Sequence, residues 1–129
     1  MSTFKDVRGT LAADLGVIGV PVIDDWPVRT EPPCIYLTPP ISGSYVSEGK
    51  EFGTVQLHLD VLILVDAHPI GPARDELENL LEEVLRNSAD WGLDGADPPG
   101  TASMPDSTVE FLGTVVHLAK TVYLSTGGM

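Results

Sequence analysis

The sequence predicts an α+β fold: a mixed, mainly antiparallel sheet of about four or more strands, with two helices packed on one face. Three observations predict it. Residues 54–65, TVQLHLDVLILV, read as one long strand. An amphipathic helix, opening at Pro72, follows after a short acidic turn. Residues 109–125 then alternate again as a closing strand. At 129 residues the chain is read as a single domain, 1–129. A chain of this size buries roughly two-thirds of its unfolded surface, enough for one core without staples.

The elements follow in order. Ser2 or Thr3 can cap a first helix. Phe4, Val7, Leu11 and Leu15 recur at helical spacing on one stripe, and Gly16 is the expected stop. The prolines at 21, 27, 32 and 33 then permit only short extended pieces, with Val20-Pro21-Val22 as a brief edge strand. Cys34 to Thr38 is a strand bounded by Pro33 and Pro39. Residues 39–53 are rich in Gly, Ser and Pro and read as a loop or hairpin tip carrying Tyr45 and Phe52.

In the long strand, Val55, Leu57, Leu59, Val61, Ile63 and Val65 share a face buried throughout. The other face begins polar at Gln56, His58 and Asp60 and ends apolar at Leu62 and Leu64. In the second helix Leu77, Leu80, Leu81, Val84 and Leu85 form the core stripe, and Arg74–Glu78 and Glu82–Arg86 are spaced for i,i+4 pairing. Residues 94–107 read as a second polar loop. The closing strand is expected to bulge or turn at Gly113, and 126–129 to fray. Strands this long overhang the core of so small a domain, and such edges are often managed by pairing with another subunit.

Composition narrows the function classes. Apolar residues make up 43% and charged residues 20%, an ordinary globular balance. Nineteen carboxylates against seven basic side chains give −12, which disfavours gripping nucleic acid. The simplest role of that charge is solubility. Cys34 is the one cysteine, so no internal disulfide forms, and PPCIYL places it as a small buried residue. The opening MSTFKDVRG lacks a signal-peptide pattern, and the longest apolar run, Val61 to Val65, is too short for a bilayer. Synthesis in the cytoplasm with no membrane partner is the expectation.

No catalytic signature is present: no G-x-G-x-x-G, P-loop, G-x-S-x-G or C-x-x-C. His58 and Asp60 lie two apart on one strand face, and with His117 or His68 they resemble part of a metal or base site. Two-apart residues on a strand are commonplace, and a solvated or interface face explains them more simply. Ser42, Ser44 and Ser47 have no base at a motif spacing. Asp24, Asp25, Asp94, Asp97 and Asp106 fit turn chemistry better than cation binding. Trp26 and Trp91 are either interface anchors or core residues. The residues thus predict no enzyme, no cofactor and no metal. The candidate contacts are Tyr45, Phe52, His58, Asp60, Trp26 and Trp91, with the 94–107 loop.

The succession TFKDVRGTLAADLG, GVPVIDDWP, PPCIYLTP, VQLHLDVLILVD, ARDELENLLEEVLRN and GTVVHLAKTVYLS resembles the tail terminator (tail-completion) proteins of long, flexible-tailed bacteriophages. The resemblance covers nearly the whole chain. It lies in element order, with the "VPV…PP" passage most telling, so no residue role carries over. It implies a subunit of a six-membered ring, a hexamer, that caps the tail tube and stops its polymerisation. The implied partners are further copies of the chain, the major tail tube protein and the head–tail connector (stopper). DNA would pass through the lumen without specific binding. The implied location is the virion, at the head–tail junction. Another neck or minor tail component, or a small-molecule-binding α/β regulatory domain, is the alternative.

Overall fold

The fold is seen in a computed structural model that describes residues 3–24, 32–40, 43–67, 70–103 and 110–124. Helix α1 spans Thr3–Leu15, β1 Val22–Ile23, β2 Cys34–Thr38, β3 Val46–Glu48 and β4 Thr54–Asp66. Helix α2 spans Ile70–Asn87, followed by β5 Gly92–Ala96, β6 Gly100–Ser103 and β7 Glu110–Tyr123. The expected α+β class holds, with a mixed sheet of seven strands. Strand β1 runs parallel to β2; the other described pairs are antiparallel.

The sheet is built on one ribbon. Strands β4 and β7 pair along their whole length, from Thr54↔Tyr123 to Asp66↔Phe111. Each outer edge of that ribbon carries two short strands end to end. On β4 these are β3, opposite 55–57, and β2, opposite 60–64. On β7 they are β5, opposite 116–119, and β6, opposite 110–113.

Alternation explains the packing. Leu57, Leu59, Val61, Ile63 and Val65 of β4 join Ile35 and Leu37 of β2 and Leu112, Val116, Leu118 and Val122 of β7. Leu11 and Leu15 of α1 and Ala73, Leu77, Leu80 and Val84 of α2 belong to the same buried cluster. Burying each such side chain contributes about 1.5–3 kcal/mol. On the opposite face Leu64, Cys34, Tyr36 and Phe111 form a second buried cluster. Burial pushes the Cys34 thiol up to about 11, which leaves it protonated and unreactive.

Several expectations are corrected. The presumed loop or hairpin tip 39–53 contains β3, and 94–107 contains the last three residues of β5 and all of β6. These strands are short and Gly- or Ser-bearing, and the β4–β7 ribbon supplies their hydrogen bonds. Helix α1 does end at Leu15, just before Gly16 as expected, but the chain keeps turning. A 3₁₀ turn over Gly16–Ile18 follows, and Gly19, at φ 95°, ends it. Helix α2 starts at Ile70, so Pro72 lies in its first turn, where a missing N–H costs no intrahelical bond. Leu85 is exposed, outside the Ala73–Leu77–Leu80–Val84 stripe. Arg86 pairs with Glu83 at 2.6 Å, not Glu82, while Arg74–Glu78 forms as expected at 3.0 Å.

Gly113 makes no bulge. It pairs in register with Leu64, and a Cβ there would lie 2.7 Å from Leu64 Cδ2 and 3.0 Å from the Ile63 carbonyl oxygen. The glycine is needed for close approach, not for a turn. Ser2, Trp26, His68, Asp106 and the 126–129 tail lie outside the described residues.

Candidate functional site

The polar half of β4 sits on the sheet face opposite the main core. His58 and Asp60 point to this face with their β7 partners Ala119 and His117. Two outer strands bring further polar groups to it. Strand β3 pairs Ser47 with Gln56, which sets Ser47 diagonally beside His58. Strand β5 reaches it through a register shift between Leu93 and Gly95. Asp94 is the extra residue of that bulge, and Gly95 has φ 138°. Bulges re-aim a side chain in this way.

Two groups of polar side chains result. In the first, Ser47 Oγ lies 2.7 Å from His58 Nε2, and Asp94 Oδ2 lies 3.5 Å from His58 Nδ1. In the second, His117 joins three strands' worth of chain. Its Nδ1 is 2.7 Å from Asp60 Oδ1, and its Nε2 is 2.9 Å from Asp97 Oδ1. Hydrogen bonding to Asp97 and then to Asp60 raises the His117 pKa above its usual 6.5, with burial opposing. Both ring nitrogens donate when the ring is charged, which suits two carboxylate acceptors. Ser44, Ser47, His58, Asp60, Asp94 and His117 line one open cleft of about 490 Å³.

The arrangement redistributes the expected contact residues. Phe52 is fully exposed at the turn before β4, and Tyr45 is exposed on the approach to β3. Asp60 is only 3% exposed and engaged by His117, so it is not available as a surface contact. His58 is half-buried and turned toward Ser47 and Asp94. Trp91 is buried in the main core, with Lys120 Nζ 5.9 Å from its ring centroid, so it is not a surface anchor. The tight turn after α2 drives it inward, its N–H bonding the Ser88 carbonyl.

His58 and Asp60 do not form a shared ligand set, because each faces a different partner. Among the described residues, no group of three or more His, Cys, Asp or Glu side chains is arranged to hold a metal ion. His117, named beside His58 and Asp60 from the sequence, does meet Asp60, whereas Ser47, Asp94 and Asp97 were not joined to them by sequence spacing. The one available signal was the hairpin between 46–48 and 55–57, which sets Ser47 near His58 once its register is known. Asp94 and Asp97 give no such signal, since their placement depends on a bulge against a strand twenty residues later.

Compared with known proteins, the chain matches no family model, and no curated protein sequence matches it. No described helix is long and apolar enough to cross a membrane.

Proposed function

We propose that this chain is a structural ring subunit that caps the tail tube of a long-tailed phage and halts its polymerisation. The observation that carries the reading is the apolar free end of the β4–β7 ribbon. Thirteen residues of β4 extend about 43 Å at ~3.3 Å per residue, whereas the eighteen residues of α2 extend about 27 Å. At the end of the ribbon where β4 begins, Phe52 is fully exposed, Tyr123 is 66% exposed and Leu124 is 40% exposed. Tyr45 and Val46, at the start of β3, are also exposed. On a chain of net charge −12, exposed aromatic and aliphatic side chains at one strand end suit a surface covered by protein.

The end is also stiff enough to serve as a contact. Tyr123 Oη donates to Glu51 Oε2 at 3.0 Å, and the Leu124 N–H donates to the Gly53 carbonyl at 3.0 Å, so the turn is tied to β7. The α+β fold agrees with the resemblance in element order. The acidic surface suits a ring through which DNA slides, since phosphates are repelled rather than gripped.

The test is tube assembly. Purified chain is added to elongating tail-tube subunits of the cognate phage, and the tube ends are imaged. Length arrest with a six-fold ring at one end is expected. Unchanged elongation, together with a strict monomer in native mass spectrometry, would overturn the proposal.

A further inference from the structure

The Ser47–His58–Asp94 group goes beyond a structural role. A serine hydroxyl is a weak nucleophile until a base takes its proton, and the base works best when a third group fixes its ring. Ser47 Oγ is 2.7 Å from His58 Nε2, within proton-transfer reach. Asp94 Oδ2 is 3.5 Å from the other ring nitrogen, a charge contact that favours a proton on Nδ1 and leaves Nε2 to accept. The distance is at the long end, as such contacts often are before a substrate is bound. Ser47 is half-buried on an edge strand, and it opens into the cleft of about 490 Å³, a size that suits a small organic molecule.

We propose that Ser47 is an activated nucleophile, with His58 as its general base and Asp94 as its positioning residue, and that it takes acyl groups from small neutral or cationic esters. Ser47 Oγ attacks the ester carbonyl carbon while its proton passes to His58 Nε2. Collapse of the tetrahedral species breaks the bond to the alkoxy oxygen, which leaves as the alcohol with the proton from His58. Water then attacks the acyl carbon and gives a proton to His58; the bond from that carbon to Ser47 Oγ breaks, Oγ takes the proton back from His58 Nε2, and the acid is released. The charge preference follows from the walls: Asp60 and Asp94 line the same cleft and repel anionic substrates. Cys34 does not compete, being fully buried.

The test is covalent labelling of the whole chain with a neutral fluorophosphonate, read by intact mass and peptide mapping. A single adduct on Ser47 is expected, absent in Ser47→Ala. His58→Gln should slow labelling by about 10²-fold or more, the usual contribution of a general base. Asp94→Asn, at an exposed side chain that leaves the fold intact, should slow it by less. Hydrolysis of p-nitrophenyl acetate should fall in the same order. The proposal is overturned if no adduct forms, if the adduct sits on Ser44 or elsewhere, or if both Asp94→Asn and His58→Gln label Ser47 at the parent rate. Labelling is measured without tail tubes, so its outcome is separate from that of ring formation.

Discussion

Replacing Gly113 with alanine is expected to destabilise the fold by about 1–2 kcal/mol. The new Cβ would lie 2.7 Å from Leu64 Cδ2, nearly 1 Å inside the ~3.5 Å at which carbon atoms pack favourably. It would also sit 3.0 Å from the Ile63 carbonyl oxygen, which belongs to the backbone of β4. Leu64 cannot swing aside, because it is 3% exposed and packed with Cys34, Tyr36 and Phe111. Overpacking of this kind costs about 1–3 kcal/mol. Loss of glycine's freedom in the unfolded chain offsets about 0.4–1 kcal/mol of that. With a urea slope of about 2 kcal/mol per molar, the unfolding midpoint drops by roughly 0.5–1 M. The second arm is Leu64→Ala, which removes the colliding methyl. In that background Gly113→Ala should cost at least about 0.5 kcal/mol less, the size of coupling expected for residues in contact. A Gly113→Ala protein as stable as the parent would refute the close-approach account, as would an unchanged cost beside Ala at 64.

Three further outcomes are expected. The folded pKa of His117 lies above the unfolded 6.5, so its stabilising effect is complete below that pH and is lost as pH rises through the folded value. Relative to the parent, His117→Gln should lose stability below pH 6.5 and converge with it at alkaline pH; parallel urea-midpoint profiles would contradict this. Phe52→Asp should leave the urea midpoint within the range typical of surface changes, about ±0.5 kcal/mol, while abolishing tube capping; retained capping would remove the ribbon end from the contact. Cys34 should resist an aromatic disulfide reagent at pH 8 in the native state and react at once in denaturant, because burial pushes its thiol up to about 11; fast native reaction would show that the second cluster opens.

The two long strands and both helices were legible because their periodicity runs over many residues. Strand β4 alternates for 13 residues, and Ala73, Leu77, Leu80 and Val84 recur at the helical period. Strand β2 was legible because prolines bound it. Strands β3, β5 and β6 were not, because three to five residues, with glycine in β5 and β6, carry no period. They are strands only because β4 and β7 offer unpaired edges. The candidate site suffered the same blindness. His58 and Asp60 were visible as a pair, yet their partners come from three other strands or strand ends. A two-residue spacing on a strand says which face the residues share, not what faces them. Trp91 shows the converse limit: its burial follows from a turn after α2 that composition alone does not specify.

The apolar ribbon end and the polar cleft share one element, and this gives a way to read both at once. Strand β3 has three residues and is held by its pairing with 55–57. Tyr45 and Val46 belong to the exposed apolar surface, while the next residue, Ser47, faces His58. Short edge strands with few buried contacts open at low free energy, so their amides exchange quickly in the free chain. A partner seated on Phe52, Tyr45 and Val46 must hold β3 against β4, because that apolar surface forms only when the strand is paired. Amide exchange over 45–48 should therefore slow in the presence of tail tubes, while exchange in the central residues of β4, already protected, stays unchanged. Equal exchange at 45–48 with and without tubes, under conditions where the chain is bound, would place the contact elsewhere. The docking surface would then have to be sought on the β5–β6 edge of the sheet.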